Sequence, residues 1–143
     1  MAEALFNKRF KAAGLENEFI AYSAGTANYH VGEAPDHRTL KVLEENRINF
    51  SHLGRQVKTQ DFESIDFFFA MDENNFEHLQ RLKPKNFEGS IQLLRKYDPF
   101  SLGSNEVPDP YYGSYQDFQT VFQILNHCFD TILEDYLAGK GFA

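Results

Sequence analysis

The sequence predicts an α/β fold in which helices cover both faces of a doubly wound parallel sheet. Helical and extended segments alternate along the chain in the order α-β-α-β-α-β-α. Residues 66–71 are apolar on both faces after the first residue, as buried parallel strands are. A long amphipathic stretch closes the chain and has the spacing of a helix. Alternation of this kind implies a ligand site beyond the carboxyl ends of the strands.

Apolar spacing and capping residues predict four helices. Gly14 is expected to end the first, because glycine readily adopts the left-handed conformation that closes many helices. The second is predicted over residues 35–46, where Asp36 favours the positive end of the helix. The third is predicted over Glu73–Leu82. The first and last helices have apolar stripes, formed by Ala2, Leu5, Phe6, Phe10 and Ala13 and by Phe118, Val121, Phe122, Leu125, Phe129, Ile132, Leu133, Tyr136 and Leu137.

Three apolar segments are predicted to be strands. They are residues 19–24, ending at Gly25, then residues 66–71 and residues 90–94. The stretch 95–114 holds three of the five prolines and is predicted to be an irregular loop. A helix opens the chain with no strand before it, whereas doubly wound folds usually begin with a strand. We therefore expect one strand to be missing at the front of the fold.

Composition indicates one globular domain over residues 1–143. Hydrophobic residues make up 42% of the chain and aromatic residues 15%, which is enough for one good core. The net charge of −7 would repel nucleic acid, and no apolar run reaches the ~18 residues of a membrane span. Cys128 is the only cysteine, so no disulfide framework exists within the chain. We expect a cytoplasmic protein with neither a nucleic-acid nor a membrane partner.

The segment Val107-Pro108-Asp109-Pro110-Tyr111-Tyr112-Gly113 is the most informative for function. Prolines on both sides of Asp109 stiffen the backbone and push the aspartate toward extended conformations. A carboxylate on a stiff loop beside two aromatic rings suits a general acid that serves an aromatic substrate. On spacing alone, a simple turn with an Asx hydrogen bond and two packing tyrosines is the favoured alternative.

Further segments shift this balance, because together they resemble the low-molecular-weight protein tyrosine phosphatase family. They occur in family order, cover nearly the whole chain and include the family's acid loop, DPYYG, at residues 109–113. The other matching segments are Ser23-Ala24-Gly25-Thr26, Tyr29-His30-Val31-Gly32, Pro35-Asp36-His37-Arg38, Ser51-His52 with Arg55-Gln56, Phe69-Ala70-Met71-Asp72-Glu73-Asn74-Asn75, and Asp117-Phe118.

The resemblance implies a two-step transfer of the phosphoryl group of phosphotyrosine. In that family a cysteine thiolate attacks phosphorus, and an aspartate protonates the departing phenolate and then activates the hydrolytic water. Asp109 carries over to this role. Tyr111 and Tyr112 carry over as walls of an aromatic slot, with Tyr29 at its rim. The resemblance also implies that Asp72 and Asn75 support the framework of the active site.

The chain departs from the family at the nucleophile. The family places its cysteine in a C-x5-R-[ST] loop between the first strand and a helix that often begins Met-Ala-Glu-Ala, and this chain starts at that point. No C-x5-R occurs in the sequence, and Cys128 lies in the apolar stripe of the last helix, which predicts a structural role. The resemblance implies a four-stranded parallel sheet of order 2-1-3-4. We therefore expect a chain without the first strand that is catalytically incomplete.

Three explanations for this departure are open. A start assigned too late, at an internal methionine, is favoured because Asp109, Tyr111 and Tyr112 are retained together. A truncation is the second. The third is a remnant that lost catalysis and acts as a phosphatase-like binding module, self-associating through strand edges that the absent strand leaves uncovered.

The sequence also bears on other ligands and chemistries. Expected partners are a phosphotyrosine protein or a small aryl phosphate ester, and inorganic phosphate could bind the amides that open the first helix. Arsenate reductases share the fold but need further cysteines, and arginine phosphatases tend to lack the second aromatic residue that Tyr112 provides. No glycine-rich nucleotide motif or metal-site spacing occurs, so no cofactor is implied.

Overall fold

A computed structural model describes residues 1–141, which contain four α-helices and two β-strands. The helices are α1 (Ala2–Ala12), α2 (His37–Glu45), α3 (Glu73–Leu82) and α4 (Tyr115–Leu137), and the strands are β1 (Phe67–Ala70) and β2 (Ser90–Leu93). Two short 3-10 helices, Thr59–Glu63 and Leu94–Tyr97, precede β1 and follow β2. The four predicted helices are therefore confirmed. The stretch 95–114, predicted to be irregular, is so except at its start, where residues 95–97 belong to the second 3-10 helix.

The sheet is parallel, as predicted from the apolar segments. Phe67 pairs with Ser90 and Ala70 pairs with Leu93 in a continuous register. Helix α3 connects the two strands and packs against both of them. Because the strands run in the same direction, their carboxyl ends meet at one edge, next to Met71 and Leu94, which is where a ligand site is expected.

Residues 19–24 are not a strand, so that prediction is wrong. The N–H of Ala21 donates to Asn7 Oδ1 at 2.8 Å, and Asn7 Nδ2 donates to the Ala21 carbonyl at 3.0 Å. A side chain of α1 therefore takes backbone groups that a strand would pair with a neighbouring strand. Pairing begins only at Gly25, which makes an isolated parallel bridge with Gln56. Within residues 1–141 the sheet has two strands where three were expected.

Aromatic side chains fill the main core between α1, α2 and α4. Phe10 is fully buried and stacks on Phe6 at a centroid distance of 4.0 Å, and Phe6 meets Phe129 of α4 edge to face at 5.4 Å. Leu43 of α2 and Cys128 of α4 are also fully buried. A second cluster surrounds the sheet and comprises Val57, Phe62, Ala70, Leu79 and Leu93.

The helix ends follow their capping residues. Gly14 has a φ of +76° and its N–H donates to the Lys11 carbonyl at 2.9 Å, so it closes α1 as predicted. Helix α2 begins at His37, two residues later than predicted, because Asp36 is its N-cap and accepts from the Arg38 N–H. None of the four helices in the described part of the chain is long and apolar enough to cross a membrane.

Candidate active site

Asp109 lies exposed on the loop between the 3-10 helix Leu94–Tyr97 and α4. Its Oδ1 accepts a hydrogen bond from the Tyr111 N–H at 3.0 Å, and the Gly113 N–H donates to the Pro110 carbonyl at 2.9 Å. The Asx hydrogen bond of the simple-turn alternative is thus present. It engages one carboxylate oxygen, and the other has no hydrogen-bond partner among residues 1–141. The loop therefore presents a fixed carboxylate to solvent.

The acid loop, residues 107–113, is attached to the carboxyl end of β1. Val107 is buried, and its N–H donates to the Met71 carbonyl at 2.7 Å. Just before it, the Glu106 carbonyl accepts from Arg95 Nη1 at 2.8 Å, and the Glu106 carboxylate accepts from the Glu73 N–H at 2.9 Å. Asp109 consequently stands at the edge of the sheet where parallel α/β folds bind ligands.

Two exposed tyrosines belong to this loop, and a third lies beside it. The rings of Tyr111 and Tyr112 meet edge to face at 4.9 Å, and Tyr112 is 95% exposed. Tyr29 is exposed on a neighbouring loop. The residue next to it, His30, contacts the acid loop, with its ring 6.3 Å from that of Tyr111. Exposed aromatic rings next to a carboxylate can contact a planar aromatic ligand on its faces.

Asp72 and Asn75 lie deeper, where β1 passes into α3. Asp72 is the N-cap of α3 and accepts from the Asn75 N–H at 2.8 Å. The Asn75 side chain donates to Thr26 Oγ1 at 3.4 Å. No hydrogen bond joins either residue to Asp109 within the described chain. Their contacts hold the start of α3 against the loop that begins at Gly25.

Arg38 also belongs to the site, in addition to the residues predicted from the sequence. Its guanidinium forms two bonds with the Asp36 carboxylate, at 3.1 and 2.9 Å, and reaches the carbonyl oxygens of Tyr111 and Gly113. The hydrogen bond from Arg38 lowers the pKa of Asp36, so both partners stay charged. The bonds between Arg38 and Asp36 are local and lie within one short Pro-Asp-x-Arg segment of the sequence. The carbonyl partners lie more than 70 residues away and leave no sequence signal.

Cys128 is placed where a nucleophile cannot act. Its side chain is fully buried in α4, and burial, with the nearby charge of Asp98, raises its pKa to about 12. A thiol with this pKa is protonated at neutral pH, whereas catalytic cysteines are thiolates in accessible electropositive sites. The predicted burial of Cys128 within the last helix is therefore confirmed.

An apolar groove of about 370 Å³ runs between residues 18–24 and β1. Ala2 and Glu3 of α1, Phe69 of β1 and Phe129 of α4 are among the residues that line it. Ile20 and Tyr22 lie along its open side and are 65% and 60% exposed. Within residues 1–141, no group of three or more histidine, cysteine or acidic side chains could hold a metal ion.

Comparisons with known proteins agree on one family. Residues 1–138 match the family model described as low molecular weight phosphotyrosine protein phosphatase. The protein of that name from Saccharomyces cerevisiae is 36% identical over 130 residues, which span 89% of this chain and 80% of the yeast protein. A protein tyrosine phosphatase from Entamoeba histolytica superposes with a TM-score of 0.89 at 32% identity, over 97% of this chain and 88% of that one. A Drosophila arginine phosphatase superposes with a TM-score of 0.87 at 27% identity, over 94% and 87% of the two chains.

Proposed function

The chain belongs to the low molecular weight phosphotyrosine protein phosphatase family, and we propose that Asp109 occupies the position of the general acid and base in that family's hydrolysis of phosphotyrosine. The observation that carries this proposal is the Asp109 carboxylate, held through one oxygen on the Tyr111 N–H and open at the other. Tyr111 and Tyr112 stand beside it as the walls of the substrate slot, and Tyr29 forms the rim. Asp72 and Asn75 support the framework beneath, within one phosphatase-like domain over residues 1–143.

The chemistry explains why the carboxylate is needed. In the first step a cysteine thiolate bonds to phosphorus while the phosphorus–oxygen bond to the tyrosine breaks. The Asp109 proton goes to the departing phenolate, whose pKa near ~10 makes unassisted departure slow. In the second step water attacks the phosphocysteine, its proton passes to Asp109, and the thiolate leaves.

The thiolate of that first step is absent from this chain as given. Its one cysteine is Cys128, which is buried with a pKa raised to about 12. We infer that the 143-residue chain does not hydrolyse phosphate esters unless a C-x5-R loop is supplied. We further infer that the apolar groove beside β1 is the place of the family's first strand, which would give the sheet order 2-1-3-4. The exposed Ile20 and Tyr22 support this placement.

Phosphotyrosine proteins and small aryl phosphates are the substrates that the slot favours. Tyr111 and Tyr112 offer ring faces and edges to a phenyl group, and Tyr112 is almost completely exposed. The Drosophila neighbour is an arginine phosphatase, so phosphoarginine is the competing substrate class. The presence of both tyrosines supports the aromatic substrate. Because the single cysteine has no disulfide partner in the chain, we place the reaction in the cytoplasm.

The test compares the chain as given with a fusion that adds an apolar strand and a C-x5-R-S loop ahead of Met1. With p-nitrophenyl phosphate, the chain alone should show no turnover above the buffer rate, and the fusion should turn over. Replacing the added cysteine with serine should abolish that turnover. Turnover by the chain alone, or none by a folded fusion, would contradict the proposal.

The groove also favours a second candidate function, a binding module that associates with a second copy of itself. Ile20 and Tyr22 are apolar side chains exposed along an open groove, and such patches mark interaction surfaces. Light scattering should then give a mass that rises toward a dimer with concentration. The Ile20→Ser/Tyr22→Ser variant should stay monomeric, and Leu102→Ser, at a fully exposed site elsewhere, should not change the mass. A strict monomer throughout would remove this candidate.

A further inference from the structure

Arg38 links two parts of the candidate site that are far apart in sequence. Its guanidinium contacts the Asp36 carboxylate at the start of α2 and two carbonyl oxygens of the acid loop, those of Tyr111 and Gly113. We propose that Arg38 is a positioning residue that fixes the acid loop relative to the loop bearing Tyr29. This inference rests on the proposed function of Asp109, because only that role gives the loop position a catalytic consequence.

The guanidinium is held in place before it reaches the acid loop. Arg38 Nε and Nη2 donate to the two oxygens of Asp36 at 3.1 and 2.9 Å, which is the paired geometry of an arginine fork on a carboxylate. Asp36 is itself fixed, because it also accepts the Arg38 N–H at 2.8 Å as the N-cap of α2. A planar group anchored at two points loses little further freedom when it forms more hydrogen bonds.

The rest of the guanidinium bridges the turn of the acid loop. Nη2 donates to the Tyr111 carbonyl at 2.9 Å, and Nη1 donates to the Gly113 carbonyl at 3.1 Å. These two carbonyls flank Tyr112, so the bridge restrains the backbone on both sides of the most exposed tyrosine. The guanidinium also lies 4.3 Å from the ring centre of Phe118 in α4, which covers it from the helix side.

The bridge determines two features of the proposed chemistry. Arg38 holds the Tyr111 carbonyl, and Asp109 Oδ1 accepts from the N–H on the other side of the same Cα, so restraining Tyr111 also limits the movement of Asp109. The other end of the bridge is Asp36 at the start of α2. The loop that carries Tyr29 and His30 leads directly into this residue. The guanidinium therefore ties the acid loop to the start of α2, and the His30 ring approaches the same loop separately, at 6.3 Å from the Tyr111 ring.

Amide hydrogen exchange tests this bridge without any need for catalysis. In Arg38→Met, the Tyr111 and Gly113 amides should exchange about tenfold faster, because two charge-assisted bonds to the loop are lost. Arg38→Lys should behave like Arg38→Met, since an ammonium cannot bond Asp36 and both carbonyls in the fork geometry. The control Arg55→Lys alters another arginine–carboxylate pair, with Asp61, and should leave both amides unchanged.

Two results would overturn the inference. One is unchanged exchange at Tyr111 and Gly113 in a folded Arg38→Met, and the other is equal acceleration throughout α2 and α4, which would indicate a general structural role. Asp36→Asn provides a second route, because asparagine keeps the cap but weakens the anchor, and it should accelerate exchange in the loop only. None of these readouts depends on Asp109 donating a proton, so the failure of the proposed function would be seen separately.

Discussion

The N–H of Val107 donates to the carbonyl oxygen of Met71 at 2.7 Å. This hydrogen bond joins the start of the acid loop to the residue that follows β1, so the loop takes its position from the sheet. Arg95 and Glu73 add bonds to the adjacent Glu106. A loop attached in this way needs little reorganisation to present Asp109, and pre-organisation is a large part of what positions a general acid.

Asp98 is predicted to support both the fold and the acid loop. Its side chain is fully buried and accepts from the Phe100 N–H at 2.9 Å and from Arg95 Nε at 3.3 Å. Asp98→Ala would leave Arg95 without its carboxylate and should cost about 3 kcal/mol of unfolding free energy, measured by urea denaturation. Asp98→Asn, which keeps an acceptor, should cost less.

A matched control for Asp98 is available near the end of α4. Asp135 makes a solvent-accessible ion pair with Lys140, and Asp135→Ala should change the unfolding free energy by less than about 1 kcal/mol. Equal losses in Asp98→Ala and Asp135→Ala would show that burial of the Asp98 carboxylate carries no special weight.

The Cys128 thiol should be inert in the folded protein. Burial raises its pKa from 9.0 to about 12, so at pH 8 a thiol-reactive dye should react only as fast as the chain unfolds. Because the unfolded thiol ionises at lower pH than the folded one, stability should fall as pH rises from 9 toward 12. In Cys128→Ala, the unfolding temperature measured at increasing pH should fall less over this range than in the unmodified protein. Rapid labelling without denaturant would contradict the burial.

Much of the fold was accessible from the sequence, because its signals are local. The apolar stripe of α4 and Gly14 at the end of α1 depend on neighbours within a few residues. The structure confirms Gly14 and buries the stripe from Phe118 to Ile132, whereas Leu137 at its end is exposed. Residues 19–24 have the composition of a strand, but a strand exists only where another strand pairs with it. Within residues 1–141 no strand pairs with this segment, and the Asn7 side chain bonds the N–H and carbonyl of Ala21 instead, a contact across 14 residues that no local pattern reveals.

The candidate site divides along the same line. Asp109, Tyr111 and Tyr112 lie within four consecutive residues, so one motif finds all three, and the prolines beside Asp109 restrict its backbone. Arg38 contributes by reaching carbonyl oxygens, and backbone acceptors are present at every position of every sequence. Its role could be read only after the chain had been folded.

Gly54 is predicted to hold the loop of Tyr29 in place. Its N–H donates to the Glu33 carbonyl and its carbonyl accepts from the Gly32 N–H, both at 2.7 Å, and a β-carbon there would overlap the His30 carbonyl oxygen. Gly54→Ala should therefore displace the loop and lower the unfolding free energy by about 2 kcal/mol, measured by thermal denaturation. Gly25→Ala meets only ordinary contacts and is the control. Equal stability of the two variants would refute the close approach.

The proposed role of Asp109 is tested most directly by its dependence on the leaving group, in the fusion that supplies the nucleophile loop. If Asp109 protonates the departing oxygen, Asp109→Asn should lower turnover of phenyl phosphate by about 10²–10⁴-fold. Turnover of dinitrophenyl phosphate, whose leaving group departs without a proton, should fall far less in the same variant. An equal loss with both esters would mean that Asp109 only holds the loop together, and the assignment of the general acid would be wrong.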